Sequence, residues 1–260
     1  MLKVLINNEI VDSAAIFPDR GYFYGYGVFE TLLVINGHVI FLEEHLSRLN
    51  KGLKYLNIQK VIIRQEVETA TRALSCYNGV IKINVSEENT IFTTRPVSYG
   101  QEQYESGYRL MLSGVKRNPT SHIVGIKSMN YLDNIIELEK AKKHGFNDAL
   151  FLNIHEEICE TAVANLFIIE DNKIITPEGS SGLLSGIVRQ WVMDTYPVLE
   201  ENITLDRLLL SEGAFVTNSV IGIMKVVAID EVTLNHHKHK MIQQITNKYR
   251  EVLDAIGRGL

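Results

Sequence analysis

Apolar and polar positions alternate in short runs at the start of the chain. Residues 4–6 and 9–11 flank Asn7-Asn8, which predicts two strands joined by a tight turn. Tyr22-Phe23-Tyr24-Gly25-Tyr26-Gly27 reads as a glycine- and tyrosine-rich loop feeding a strand that ends near Val34, and Asn36-Gly37 then predicts a hairpin. Leu42, Leu46, Leu49, Leu53 and Leu56 recur at helical spacing, so 42–56 is expected as a helix and 61–74 as a second. Strands over 79–85 and 90–94 would complete a small α+β half.

The segment 116–122 is polar, and Pro119 disfavours helix at the residue before it. It is expected to link a domain over 1–115 to another over 123–260. In the second, 132–143 reads as a helix stopped by Gly145. Strands follow over 149–153, 158–160, 166–169 and 173–176, then helices over 186–193 and 206–210, then strands over 214–217 and 225–229. Met241, Ile242, Ile245, Tyr249, Val252, Leu253 and Ile256 outline a closing amphipathic helix. The predicted class is α+β in two domains.

With 45% hydrophobic residues in 260, the chain can bury a substantial core. A net charge of -5 without any Lys/Arg block argues against nucleic acid as a partner. No stretch approaches the roughly 20 apolar residues of a membrane span, and the first residues lack the apolar length and cleavage site of a signal peptide. Cys76 and Cys159 stand in unrelated contexts without metal-ligand spacing, which points to a reducing, cytoplasmic setting. His236, His237 and His239, with Lys238 and Lys240, have no carboxylate or cysteine partner at ligand spacing, so they read as a solvated turn and no metal is expected.

Two residues carry the candidate chemistry. Lys127 lies among Ile126, Met129 and Leu132, with no acidic residue before Asp133. An amine is nucleophilic only when partly neutral, and burial near a cation favours the neutral form. Taken alone, a solvated loop lysine is an equally good reading. Glu160 follows the apolar pair Ile158-Cys159, whereas His155, Glu156 and Glu157 fall in a turn. It is either a solvated strand-end glutamate or an acid placed to hold a protonated ring nitrogen. A lysine and a carboxylate together are what pyridoxal phosphate requires.

Several ordered motifs extend this pattern: Glu44-His45-Leu46-Ser47-Arg48-Leu49, Lys127-Ser128-Met129-Asn130-Tyr131-Leu132, Glu160 followed by Asn165-Leu166-Phe167, Leu184-Ser185-Gly186-Ile187-Val188, and Phe215-Val216-Thr217-Asn218-Ser219. Over nearly its whole length the chain resembles the class IV aminotransferases. This is the fold-type-IV pyridoxal-phosphate superfamily of branched-chain aminotransferase, D-amino-acid aminotransferase and aminodeoxychorismate lyase. The resemblance implies a small N-terminal α+β domain, a larger C-terminal domain with a pseudo-barrel sheet, pyridoxal 5'-phosphate as cofactor, a small amine as substrate, and a homodimer. It assigns Lys127 to covalent attachment and proton transfer, and Glu160 to the pyridine nitrogen. Arg48, the backbone N–H groups of Ile187 and Val188, and Asn218 with Ser219 would bind the cofactor phosphate, while Leu184 packs on its ring.

On the same grounds Tyr22, Tyr24, Tyr26, Phe29 and Glu30 would lie on the substrate side, with Thr31 as a catalytic residue. A threonine at 31 resembles the lyases more than the branched-chain enzymes, which tend to carry glycine there. Two positions depart from the family pattern. Glu87 stands where many relatives carry an arginine that grips substrate carboxylate, and Lys225 replaces a proline. Lys225 is either a solvent-facing lysine or a supplier of part of the missing positive charge. The expected activity is that of a lyase converting 4-amino-4-deoxychorismate to 4-aminobenzoate and pyruvate, a step in folate biosynthesis. The alternatives are an aminotransferase of branched-chain or D-amino acids, or a catalytically silent relative that binds a cofactor or a partner.

Overall fold

A computed structural model describes residues 4–11, 16–234 and 240–259; His236, His237 and His239, expected as a solvated turn, lie outside the described residues. The chain divides into two units, one made of Met1–Ser98, Ile126–Asn130 and Glu251–Leu260, the other of Tyr99–Gly125 and Tyr131–Arg250.

The first unit contains β1 (Val4–Ile6), β2 (Glu9–Val11), α1 (Arg20–Tyr24), β3 (Val28–Ile35), β4 (His38–Val39), α2 (Leu42–Tyr55), α3 (Arg64–Ala73), β5 (Gly79–Val85) and β6 (Thr90–Arg95). Its six strands form a sheet in the order β2-β1-β6-β5-β3-β4. The hairpin between β3 and β4 turns through Asn36 and Gly37, both at positive φ (51° and 80°), the conformation that a two-residue turn between twisted strands favours. Leu42, Leu46, Leu49 and Leu53 of α2, with Val67 and Ala70 of α3, cover Val28, Leu32, Val34, Ile81 and Ile83. Side chains alternate across a strand, so Phe29, Thr31 and Leu33 face away from these helices, opposite Asn84, Lys82 and Val80 of β5.

Two local expectations change. The tyrosine-rich loop contains α1, because the Asp19 carboxylate caps it by accepting the Tyr22 N–H at 3.1 Å and Gly25 ends it at φ 65°. The second helix starts at Arg64 rather than 61, where the Glu66 carboxylate accepts the Ile63 N–H at 2.8 Å and sets the first turn.

The second unit contains α4 (Gln101–Ser106), β7 (Tyr108–Leu112), α5 (Leu132–Lys143), β8 (Asp148–Leu152), β9 (Ile158–Thr161), β10 (Asn165–Glu170), β11 (Lys173–Pro177), α6 (Ile187–Thr195), β12 (Val198–Glu201), α7 (Leu205–Leu210), β13 (Gly213–Asn218), β14 (Gly222–Ile229), β15 (Val232–Thr233) and the greater part of α8 (Lys240–Gly257). The strands run β12-β11-β10-β13-β14-β7-β8-β9, and β9 pairs again with β10. That second pairing, Asn165 with Glu160, closes β10, β13, β14, β7, β8 and β9 into a barrel. Leu110, Leu150, Leu166, Ile168, Val216 and Val226 fill its core.

The expected linker over 116–122 belongs to this unit, and the first chain passage between units falls at Ser98 and Tyr99 instead. Pro119 breaks regular structure only locally. Arg117 is still tied to the end of β8, its N–H donating to Leu152 at 2.8 Å and its carbonyl accepting from Ile154 at 3.1 Å.

Candidate functional site

In the first unit, residues 127–129 lie alongside the start of β3. The Phe29 N–H donates to the Lys127 carbonyl at 2.9 Å and the Met129 N–H to the Gly27 carbonyl at 2.8 Å. Only glycine fits at 27, since a Cβ there would approach Met129 Sδ and the Val85 carbonyl oxygen to 2.6 Å. This clamp fixes a partly buried Lys127, whose Nζ lies 4.6 Å from the centre of the Phe29 ring. Lys82 Nζ lies 4.6 Å from the centre of the same ring. Burial, and then the neighbouring Arg95 charge, lower the Lys82 pKa. Thr31 is directly opposite Lys82 in the β3–β5 register. Lys82 was not singled out along the chain; the available signal was a lone cation flanked by Ile81 and Ile83.

The other face of β3 carries Glu30, and its expected place on the substrate side is corrected here. Glu30 is fully buried and accepts from Arg48 Nε at 2.7 Å, Arg48 Nη2 at 2.8 Å and His45 Nδ1 at 2.7 Å. Burial alone would raise its pKa, but the Arg48 charge and then His45 overcome this and hold it ionised. Of the expected aromatics, Phe29 meets Lys127, whereas Tyr22 and Tyr24 are exposed on α1. Tyr26 serves the fold: its hydroxyl donates to the Leu56 carbonyl at 2.7 Å, and Arg20 lies 4.1 Å over its ring. Glu87, at the position of the family arginine, pairs with Arg20, whose Nε is 2.9 Å away.

In the second unit the residue that closes the barrel also presents the acid. Glu160 Oε2 accepts the Leu184 N–H at 3.0 Å, and Oε1 is 3.8 Å from Arg117 Nη2. Arg117 in turn lies 4.0 Å over the Phe151 ring. Across the seam, Asn165 Nδ2 donates to the Leu184 carbonyl at 2.8 Å. A Cβ at Gly186 would fall 2.0 Å from Asn165 Oδ1, so glycine at this N-cap lets α6 begin against the seam. The N–H groups of Ile187 and Val188 thus fall in a first helical turn, where anions are favoured. Thr217 pairs with Asn165 and is buried, its hydroxyl without a hydrogen-bond partner.

Asn218 builds the turn that holds Ser219. Its Oδ1 accepts from the Val220 and Ile221 N–H groups, both at 2.8 Å, and its Nδ2 donates to the Val163 carbonyl at 3.1 Å. Lys225 stands opposite Phe215 on β14, with its stem against Gly107. Cys159 is an inert thiol, pushed up to about 12 by burial. Among the described residues no group of His, Cys, Asp and Glu could hold a metal ion, and no helix is long and apolar enough to cross a membrane.

Residues 27–229 match the family described as amino-transferase class IV. A D-alanine aminotransferase from Listeria monocytogenes is 26% identical, with 98% of this chain and 98% of that protein covered. Among solved structures, 4-amino-4-deoxychorismate lyase from Pseudomonas aeruginosa has a TM-score of 0.85 at 23% identity, covering 96% of this chain and 99% of that one. Branched-chain amino acid aminotransferase from Escherichia coli has a TM-score of 0.83 at 22% identity, covering 95% and 93%. At these identities the two structures speak for the fold, which they share with the barrel and sheet described above. The family match spans most of the chain, which therefore belongs to the class IV aminotransferases and is a pyridoxal-phosphate-dependent enzyme.

Proposed function

We propose that the chain is a lyase of the aminodeoxychorismate type, converting 4-amino-4-deoxychorismate to 4-aminobenzoate and pyruvate. The observation that carries this reading is the pairing of Thr31 with Lys82 on the face of β3 where Lys127 meets Phe29. A hydroxyl and a second cation beside the reactive amine suit a substrate with an acidic group near its amine. They also offer a positive charge that Glu87 cannot supply.

The donor set fits the cofactor. In the first unit the Arg48 guanidinium suits a phosphate; in the second the start of α6 and the buried hydroxyl of Thr217 suit an anion, and the Glu160 carboxylate suits a ring nitrogen. When bound, pyridoxal phosphate supplies an electron sink for the bond broken at the amine-bearing carbon. Lys127 would be the amine that holds the coenzyme and the base that takes the proton from that carbon. Glu160, fixed by the Leu184 N–H, stays placed to accept a hydrogen bond from the ring nitrogen. Thr31 Oγ1 orients the substrate, and Lys82 pairs with its carboxylate. Loss of the enolpyruvyl group is driven by formation of the aromatic product. A homodimer in the cytoplasm is the setting this reading carries.

A second reading is an aminotransferase, favoured by the D-alanine aminotransferase relative that covers 98% of this chain. The same lysine would then return the proton to a different carbon, and a keto acid would take up the amine. Purified enzyme given aminodeoxychorismate should release pyruvate without any added keto acid. Amine transfer that depends on a keto acid, with no pyruvate from aminodeoxychorismate, would overturn the lyase reading in favour of the second.

A further inference from the structure

We propose that Glu30 and His45 are positioning residues that jointly fix the Arg48 guanidinium in the orientation in which it receives the cofactor phosphate. The inference rests on the assignment of Arg48 to that phosphate.

Arg48 grips Glu30 through two parallel hydrogen bonds, from Nε at 2.7 Å and from Nη2 at 2.8 Å. A fork-on-fork pair of this kind sets the guanidinium plane as well as its distance. Glu30 belongs to β3, opposite Ile83 of β5, and its fully buried side chain is held by these donors. Oε2 takes a second donor, His45 Nδ1 at 2.7 Å. His45 and Arg48 stand three residues apart on α2, so one helix face delivers both donors to one carboxylate.

Exposure decides which member meets an anion. The Glu30 and His45 side chains are each 1% exposed and the Arg48 side chain is 16% exposed. Glu30 occupies the Nε and Nη2 edge of the guanidinium. A buried ion pair is a poor source of stability, because apolar residues of the same volume often do as well. It does fix a direction, and direction is what a phosphate donor needs.

The choice of histidine follows from charge. An ionised carboxylate only accepts, so Nδ1 carries the hydrogen, and Nε2 is buried with no hydrogen-bond partner. Burial keeps the ring neutral; Glu30 pulls the other way, and the Arg48 and Lys127 charges again oppose protonation. His45 therefore adds a hydrogen bond without adding a second positive charge beside Arg48. Leucine would fill the space but leave Oε2 with Arg48 alone, whereas a lysine there would repel the guanidinium.

The test compares pyridoxal phosphate with pyridoxal, which lacks the phosphate. Both are titrated by absorbance and fluorescence into stripped Arg48→Ala, His45→Leu and His45→Asn proteins and the unmodified chain, with folding checked by circular dichroism. His45→Leu is expected to weaken pyridoxal phosphate roughly tenfold, the size of one charge-assisted hydrogen bond, while leaving pyridoxal affinity unchanged. His45→Asn, whose amide can replace Nδ1–H, is expected to restore most of the loss. In the Arg48→Ala background, His45→Leu should bring no further loss, because the two act as one unit. Equal weakening of both ligands by His45→Leu, or equal effects of Leu and Asn, would overturn the positioning role while leaving Arg48 assigned. An Arg48→Ala protein with unchanged preference for the phosphorylated ligand would instead overturn the Arg48 assignment itself.

Discussion

Lys82 and Lys127 share one phenyl ring, yet their removal should read out differently. On the function proposed above, Lys127→Ala removes the amine that holds the coenzyme and moves the proton. Reconstituted protein should lose its bound-cofactor visible band, and turnover should fall by about three orders of magnitude, within the range for loss of a general acid/base. Retained colour and turnover would remove the chemical role of this residue. Lys82→Met keeps an unbranched side chain over Phe29 but deletes the charge. For an acidic substrate KM should rise about tenfold with kcat changed much less, the signature of lost uniform binding. A fall in kcat at unchanged KM would place Lys82 in the proton path instead. Lys127 was legible as a candidate along the chain, because its apolar surroundings and the motif after it are local. Lys82 was not, because its relation to Lys127 and Thr31 depends on how β3 and β5 pair. Glu30 failed for a related reason: Val28-Phe29-Glu30-Thr31-Leu32-Leu33 is apolar on both sides, so no alternation tells which face each residue takes.

Elements with strong periodicity were legible almost to the residue, as the helices Leu42–Tyr55 and Leu132–Lys143 and the turn at Asn36-Gly37 illustrate. β12 (Val198–Glu201) was not, since it is a short polar strand defined by its parallel pairing with β11. Nor was the double pairing of β9, which no local pattern records. Strand β8 carries a consequence for pH. Asp148 is fully buried at its start; burial pushes its pKa up to about 6, although a 2.6 Å hydrogen bond from Thr161 pulls the other way. The unfolded chain gives up this proton near pH 3.8, whereas the folded chain keeps it to about pH 6. The folded state thus binds more protons across that window, and stability contributed here falls as pH rises from about 4 to 6, by about 3 kcal/mol. Urea unfolding of Asp148→Asn should show a shallower decline over the same range, and an unchanged slope would remove Asp148 as its source.

At the scale of the molecule, the chain passes between its two units four times, and Ile126–Asn130 belongs to the first unit although the residues on both sides belong to the second. Lys127 is thus delivered to β3 by a brief excursion, while Glu160 and the start of α6 stay with the barrel. A ligand bound by the native fold alone stabilises it by about 2.7 kcal/mol at a hundredfold excess over Kd. For a chain of this size that corresponds to a rise in Tm of about 5–10 °C when stripped protein is reloaded with pyridoxal phosphate. Scanning calorimetry with and without cofactor checks this, and coincident transitions at saturating cofactor would contradict it.

The barrel seam is a single residue pair, and both its members have a second contact, Glu160 with the Leu184 N–H and Asn165 with the Leu184 carbonyl. A closed ring of strands offers no edge to a foreign strand; an opened one does. Damage to this suture would therefore do two things at once, displacing the carboxylate and baring backbone that can recruit another chain. Variants selected for lost activity around residues 160–165 should for that reason also be the ones that precipitate.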